Sequence, residues 1–373
     1  TARDASLELV VKQAHLAIAG SDGDNFLSGV LPAQGLSTDL DFTLGWSSAT
    51  GMHFGGHAGL EARWPLNRSI GPVTLGALRL RIVTEGQGIT ARATFDPGLR
   101  IGPISIQIEG IGISAQLGFP ESGGNLGVAD LALGFQPPTG LGLAITTPGV
   151  TGGGFLGFDP QRAEYSGMLQ LELAETIALK ALGLLTTRMP DGSKGYSLII
   201  ILTAEGFAPI PIGLGFTLTG IGGLVALHRT VRTDVLRDGL KTGTLNSILF
   251  PPDPLRNAPQ IFSDLRRVFP PTAGRHVVGP MVQLRWGSPT LLTLDLALLV
   301  ELPAPIRVVV LGRLQVLLPD QAHPLVQIRM DALGVLDLSA ETVSLDATLY
   351  DSHILQFTLT GDMALRAGWG RQP

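Results

Sequence analysis

Leu292-Thr293-Leu294-Asp295-Leu296-Ala297-Leu298-Leu299-Val300-Glu301-Leu302 alternates between an aliphatic set at even numbers and a mixed, partly charged set at odd numbers. The pattern restarts at Val308, Val310, Leu314, Val316 and Leu318, at Val326, Ile328 and Met330, at Val343, Leu345, Ala347 and Leu349, and at Leu355, Phe357, Leu359, Met363 and Leu365. A period of two sustained this long is the mark of strands with one face buried. At roughly 3.3 Å per residue these strands are long. The stretch Leu291–Trp369 therefore predicts amphipathic antiparallel β-structure, and the central question is what covers its aliphatic face.

The same rhythm runs upstream. Strand-like runs at 40–46, 52–64, 73–83, 89–95 and 101–119 are separated by turn sequences such as Glu85-Gly86 and Asp96-Pro97-Gly98. Between 127 and 227 the turns tighten, as at Pro148-Gly149, Asp159-Pro160 and Pro190-Asp191-Gly192. Connections this short make neighbours antiparallel, since a parallel crossover needs a dozen or more residues. Glycines inside the runs permit bends and close approach of other chain segments. The expected fold is all-β: a large antiparallel meander of roughly 18–20 strands, more than the ~10 that an open twisted sheet holds before it curls or splits. A curled sheet, a flattened barrel or sandwich, or an elongated groove would each satisfy the pattern.

One segment breaks the rhythm, from His228 to His276. Thr233 and Thr244 are placed to cap short helices, and Asn257 precedes Ile261, Phe262, Leu265, Val268 and Phe269 at helical spacing. Eight Lys/Arg against four Asp give this segment +4 in a chain of net −5, which leaves −9 elsewhere. The organisation expected is one continuous β-domain in three parts: a meander over 1–227, a basic helical insertion over 228–276, and a second meander over 277–373. Both ends read as cut, as in a segment of a longer polypeptide.

Composition bounds the function. The 373 residues are 45% hydrophobic, only 15% charged and 6% aromatic, with mean hydropathy +0.32. The negative net charge argues against general nucleic-acid binding. Without Cys, neither disulfides nor thiolate metal sites exist. This fits secreted, cell-surface and cytoplasmic settings equally, so localisation is left open. No apolar run is long enough for a transmembrane helix. Three Tyr and four Trp are thin for the two aromatic girdles of a membrane barrel.

Several phrases resemble an uncharacterised family of large bacterial proteins known only as a domain of unknown function. They include Gly152-Gly153-Gly154-Phe155-Leu156-Gly157-Phe158-Asp159-Pro160, Leu227-His228-Arg229-Thr230-Val231, Ser247-Ile248-Leu249-Phe250-Pro251-Pro252-Asp253-Pro254 and Ser344-Leu345-Asp346-Ala347-Thr348-Leu349-Tyr350-Asp351-Ser352. The resemblance covers roughly residues 135–370. It implies part of a larger bacterial protein, with no assigned activity and no catalytic residue to carry over.

Three functions fit. The first is a non-enzymatic structural or assembly module, partnered by other segments of a larger polypeptide or by itself. The second is a carrier or conduit for a hydrophobic ligand such as lipid. Its groove would be Leu292, Leu294, Leu296, Val308, Val310, Leu345 and Phe357, and the helical insertion its lid. Arg229, Arg232, Arg266 and Arg267 would meet headgroups or another anionic partner. The third is a hydrolase or metal-dependent enzyme. His53 and His57 are its weak metal candidates, with no obvious third ligand. Asp351-Ser352-His353 holds triad residue types but reads as a hairpin turn between Tyr350 and Ile354. No cofactor is implied.

Overall fold

The computed structural model describes residues 5–18, 36–48, 51–55, 59–70, 72–85, 88–118, 120, 124–127, 129–136, 138–174, 176–320 and 323–369. Among these the chain is all-β and antiparallel, with one helical segment, and it divides into two compact units, Thr1–Leu143 and Ala144–Pro373.

The first unit holds β1 (Ser6–Ile18), β2 (Leu36–Ser47), β3 (Gly51–Gly55), β4 (Gly59–Ile70), β5 (Val73–Glu85), β6 (Gly88–Ile101), β7 (Ile104–Glu109), β8 (Ile111–Gly118) and β9 (Asp130–Gln136). β1, β2 and β3 form one antiparallel sheet. β4, β5 and β6 pair in sequence, and β6 pairs with both β7 and β8. A small core of Ala62, Trp64, Leu66 and Leu75 sits on β4 and β5. Beside it Arg79 pairs with Asp96 at 2.6 Å, and Asp96 also accepts the Gly110 amide.

After β10 (Gly140–Thr147), the second unit is a meander of β11 (Val150–Asp159), β12 (Glu164–Leu173), β13 (Ile177–Arg188), β14 (Lys194–Gly213) and β15 (Phe216–Arg229). The helical segment follows, with α1 (Thr233–Gly239), a 3-10 turn (Thr244–Ser247) and α2 (Ala258–Val268). The meander resumes with β16 (Pro271–Trp286), β17 (Leu292–Leu302), β18 (Arg307–Leu318), β19 (Val326–Asp337), β20 (Thr342–Ile354) and β21 (Phe357–Gly368). Each strand from β11 to β21 is hydrogen-bonded to the next. The helical segment is therefore an excursion between two paired neighbours, β15 and β16.

The core of this unit is one cluster. From the strands come Met168, Leu182, Leu184, Ile199, Ile201, Leu224, Ala226, Val277, Met281, Ala297, Leu299, Val309, Leu311 and Leu333. From the helical segment come thirteen buried apolar residues, among them Leu236, Leu245, Leu249, Leu265 and Phe269. On α2 the buried Ile261, Phe262, Leu265 and Val268 follow the 3.6-residue period that the sequence announced. Gly220 on β15 shows how closely the segment approaches: a Cβ there would lie 3.0 Å from the Phe250 ring and 3.0 Å from the Gln283 Cβ.

Three local expectations are corrected. Thr233 is the first residue of α1, behind an Arg232 cap, and makes no side-chain cap bond. Gly243, in the left-handed region at φ 75°, precedes the 3-10 turn where Thr244 was expected to cap. Residues 350–354 are not a turn. Asp351 at φ 43° makes a bulge inside β20, and pairing resumes at Ser352 opposite Leu359.

Candidate functional site

In strands, successive side chains point to opposite faces, and in the second unit the helical segment picks one of them. On β17 it covers the odd-numbered set: Asp295, Ala297, Leu299 and Glu301 are buried, whereas Leu298 is 44% exposed. On β18 Val309 and Leu311 are fully buried and Val310 is 43% exposed. This reverses the expectation that the insertion would cover Leu292, Leu294, Leu296, Val308, Val310, Leu345 and Phe357. Those on β17, β18 and β20 belong to the other face, and Phe357 on β21 is exposed.

The physical reason is charge. Of the eight basic residues between His228 and His276, four bind carboxylates on the strands. Arg266 pairs with Glu164 on β12 at 2.7 Å and Arg237 with Asp346 on β20 at 2.9 Å. Lys241 pairs with Asp362 on β21 at 2.6 Å and Arg275 with Glu301 on β17 at 3.0 Å. Strand side chains also reach the segment's backbone: Lys180 donates to the Pro251 carbonyl at 2.9 Å and Arg313 to the Leu249 carbonyl at 2.6 Å. The +4 segment and the −9 remainder are complementary parts of one fold. A purely aliphatic face offers none of these bonds.

Of the four arginines expected to meet an anion, Arg266 alone is held by a strand carboxylate. Arg229 is fully buried and donates to the Phe269 carbonyl at 2.7 Å; burial pulls its guanidinium down to about 10. Arg232 pairs with Asp234 at 2.5 Å, and Arg266 is held by Glu164. Arg267 is mostly exposed, 3.8 Å from Asp264. The segment's apolar side chains belong to the core cluster, so opening it as a whole is costly. Exposing thirteen buried apolar side chains at ~1.5–3 kcal/mol each would cost more than ~20 kcal/mol as an upper estimate, above the whole stability of a typical domain, about 5–15 kcal/mol.

The uncovered face is unusual. One row crosses eleven strands through paired positions Leu156, Gly167, Gly183, Ile200, Val225, Val278, Val300, Val308, Leu336, Val343 and Ala367. The next row contains Leu298, Val310, Gly334, Leu345 and Leu365. None of these side chains carries a polar atom. A third row runs through Val282, Leu296, Gly312, Ala332, Ala347 and Met363. Ten strand spacings of ~4.8 Å make this face about 50 Å wide, and three rows give on the order of 1,000 Å². The largest apolar patch on a typical monomer is ~300–600 Å².

Part of the covered face is polar. A row runs Gln283, Asp295, Arg313, Asp331, Thr348 and Asp362. Arg313 holds Asp295 at 2.7 Å and also bonds Asn246. Asp331 is fully buried and accepts the Tyr350 hydroxyl at 3.1 Å. Burial raises the Asp331 carboxyl to about 6, and burial together with that carboxylate pushes the Tyr350 phenol up to about 12. Next to this row opens a polar cleft of about 840 Å³, with Lys180, Gln283, Asp295 and Arg313 at its wall and Arg285, Gln315, Arg329 and Tyr350 around it. Sequence reading missed the cleft because its residues are scattered over seven strands and the helical segment. The faint signal was a charged residue on the less aliphatic face of strands such as β17, β18 and β19, at Asp295, Arg313 and Asp331.

His53 lies in β3 and His57 lies outside the described residues. Among the described residues no group of three or more His, Asp or Glu is placed to hold a metal. Ser352 donates to the Tyr350 carbonyl at 2.8 Å and accepts the Arg329 amide at 2.8 Å, so its hydroxyl closes the β20 bulge. Among the described residues no helix is long and apolar enough to cross a membrane, which says nothing of strands. No curated protein and no solved structure matches the chain. Residues 66–373 match the family described as "Family of unknown function (DUF6603)", a span that begins well upstream of the resembling phrases. The chain belongs to that family.

Proposed function

We propose that this chain is a non-enzymatic β-rich assembly module whose uncovered aliphatic face packs against the same face of a second copy. The observation that carries the reading is the eleven-strand row from Leu156 to Ala367 without a polar side-chain atom. Leu156, Ile200, Val225 and Val278 of this row are exposed, and leaving such a surface in water costs ~25 cal/mol per Å². Sheet faces stack about 10 Å apart through interdigitated aliphatic side chains. A stable dimer needs roughly 800 Å² per partner, which this face supplies. A face without charges suits a two-fold, self-complementary contact, because no like charges are brought together.

Sedimentation velocity on the purified chain, from about 1 to 100 μM, tests this together with mass spectrometry of an organic-solvent extract. The expected result is a dimer or larger species with no co-purifying lipid. A lipid-free monomer throughout would remove the proposal. A monomer that releases lipid would transfer the face to a carrier role.

A further inference from the structure

The polar cleft is independent of the aliphatic face. We propose that it is a binding site for a small polyhydroxylated monoanion, of the sugar-acid or sugar-phosphate class. Its volume of about 840 Å³ falls in the range of small-molecule sites, ~300–1,000 Å³. The argument rests on which cations are already satisfied. Lys180 is clamped between Glu205 at 2.8 Å and the Pro251 carbonyl at 2.9 Å. Arg313 is held by Asp295 and the Leu249 carbonyl. These two are structural, and they fix the wall of the cleft.

Arg285 and Arg329 differ. Arg285 is exposed, and among the described residues its side-chain bond is to Gln283 at 3.5 Å. Arg329 stands 3.6 Å from Asp351, whose side chain is itself 70% exposed. Pairing places the two guanidinium-bearing residues in one row, Arg285, Thr293, Gln315, Arg329 and Tyr350. Three strand spacings separate the arginines, about 14 Å at their Cα atoms. Two long side chains can close on a ligand across that distance, with the Thr293 hydroxyl and Gln315 amide between them. Arginine forks match carboxylate and phosphate oxygens. Amides and hydroxyls beside them suit a ligand that offers several OH groups.

The charge of the ligand is bounded too. The lining residues Lys180, Arg285, Arg313 and Arg329 are balanced by Glu205, Asp253, Asp295 and Asp351. A multiply charged phosphate chain would meet these carboxylates, and the surrounding strands supply no glycine-rich helix N-terminus to hold it. A single negative charge is the fit.

Ligand-observed NMR and calorimetry with D-glucuronate, glucose 6-phosphate and D-glucose test the site on the full chain. At least one of the two anionic probes is expected to bind with a Kd of about 1 mM or tighter, and glucose at least ~10-fold more weakly. Arg285→Ala and Arg329→Ala are each expected to weaken the anionic probe ~10-fold or more, with unchanged melting, since both side chains sit at the rim. Failure of both anions to bind at about 50 mM would overturn the proposal. So would equal binding of glucose, or undiminished binding in the Arg285→Ala/Arg329→Ala double variant.

Discussion

Leu298 and Leu299 are neighbours in β17, paired across the ladder with Val310 and Val309. Leu299 and Val309 are fully buried, whereas Leu298 and Val310 are 44% and 43% exposed. One residue of register separates a core from a surface, although the surface row is the more hydrophobic of the two. The comparison teaches that hydrophobicity does not choose the covered face here. The helical segment goes where its cations find Glu164, Asp346 and Asp362, while Arg275 at the start of β16 closes on Glu301. Aliphatic side chains placed between those carboxylates then complete the core.

Breaking the ionic part of the covered face has the largest expected effect. Glu301 is fully buried between Arg275 at 3.0 Å and Arg307 at 2.5 Å, and it also accepts from Thr230. Removing one member of a buried network leaves the others unpaired, so Glu301→Gln should cost about 3–5 kcal/mol in urea unfolding. A loss below ~1 kcal/mol would show that the ion network does not choose the face.

The apolar part should respond next. Leu299→Ala is expected to cost about 2–5 kcal/mol, the usual range for a packed leucine. Leu298→Ala, measured on dilute protein, should cost under ~1 kcal/mol. Equal losses would mean that the two faces are not distinct in solution.

Asp331 sharpens the comparison through pH. Its carboxyl titrates near 6 in the fold, against an ordinary value of 3.8. Between these values the folded chain binds the proton more tightly than the unfolded chain. This group therefore favours folding increasingly as pH falls from above 6 to below about 4, and it opposes folding by up to ~3 kcal/mol above pH 6. Asp331→Asn should raise stability at pH 8 by up to that amount and leave it unchanged at pH 4. Denaturant midpoints in the two buffers read this directly, and a variant destabilised at pH 8 would contradict it.

Much of the fold was legible because alternation is local. β17 and β18 fall within a residue of the runs that announced them, and the helical excursion lies inside its expected bounds. The choice of face was not legible. Both sets of side chains on β17 contain enough aliphatic residues to build a core, and the deciding carboxylates lie up to 121 positions from their partners, as in Lys241–Asp362. The polar cleft was hidden for the same reason: Arg285, Gln315 and Arg329 become neighbours only through strand pairing.

The smallest expected change in fold accompanies the most direct test of the proposed assembly. In the double variant Leu298→Glu/Val310→Glu two carboxylates stand on paired positions of the uncovered face. Its mass by light scattering should fall to that of a monomer, with its strand signal by circular dichroism intact and its melting within a few degrees of the dilute wild type. A variant that stays associated like the wild type would contradict the account, and so would a wild-type chain that is already a monomer.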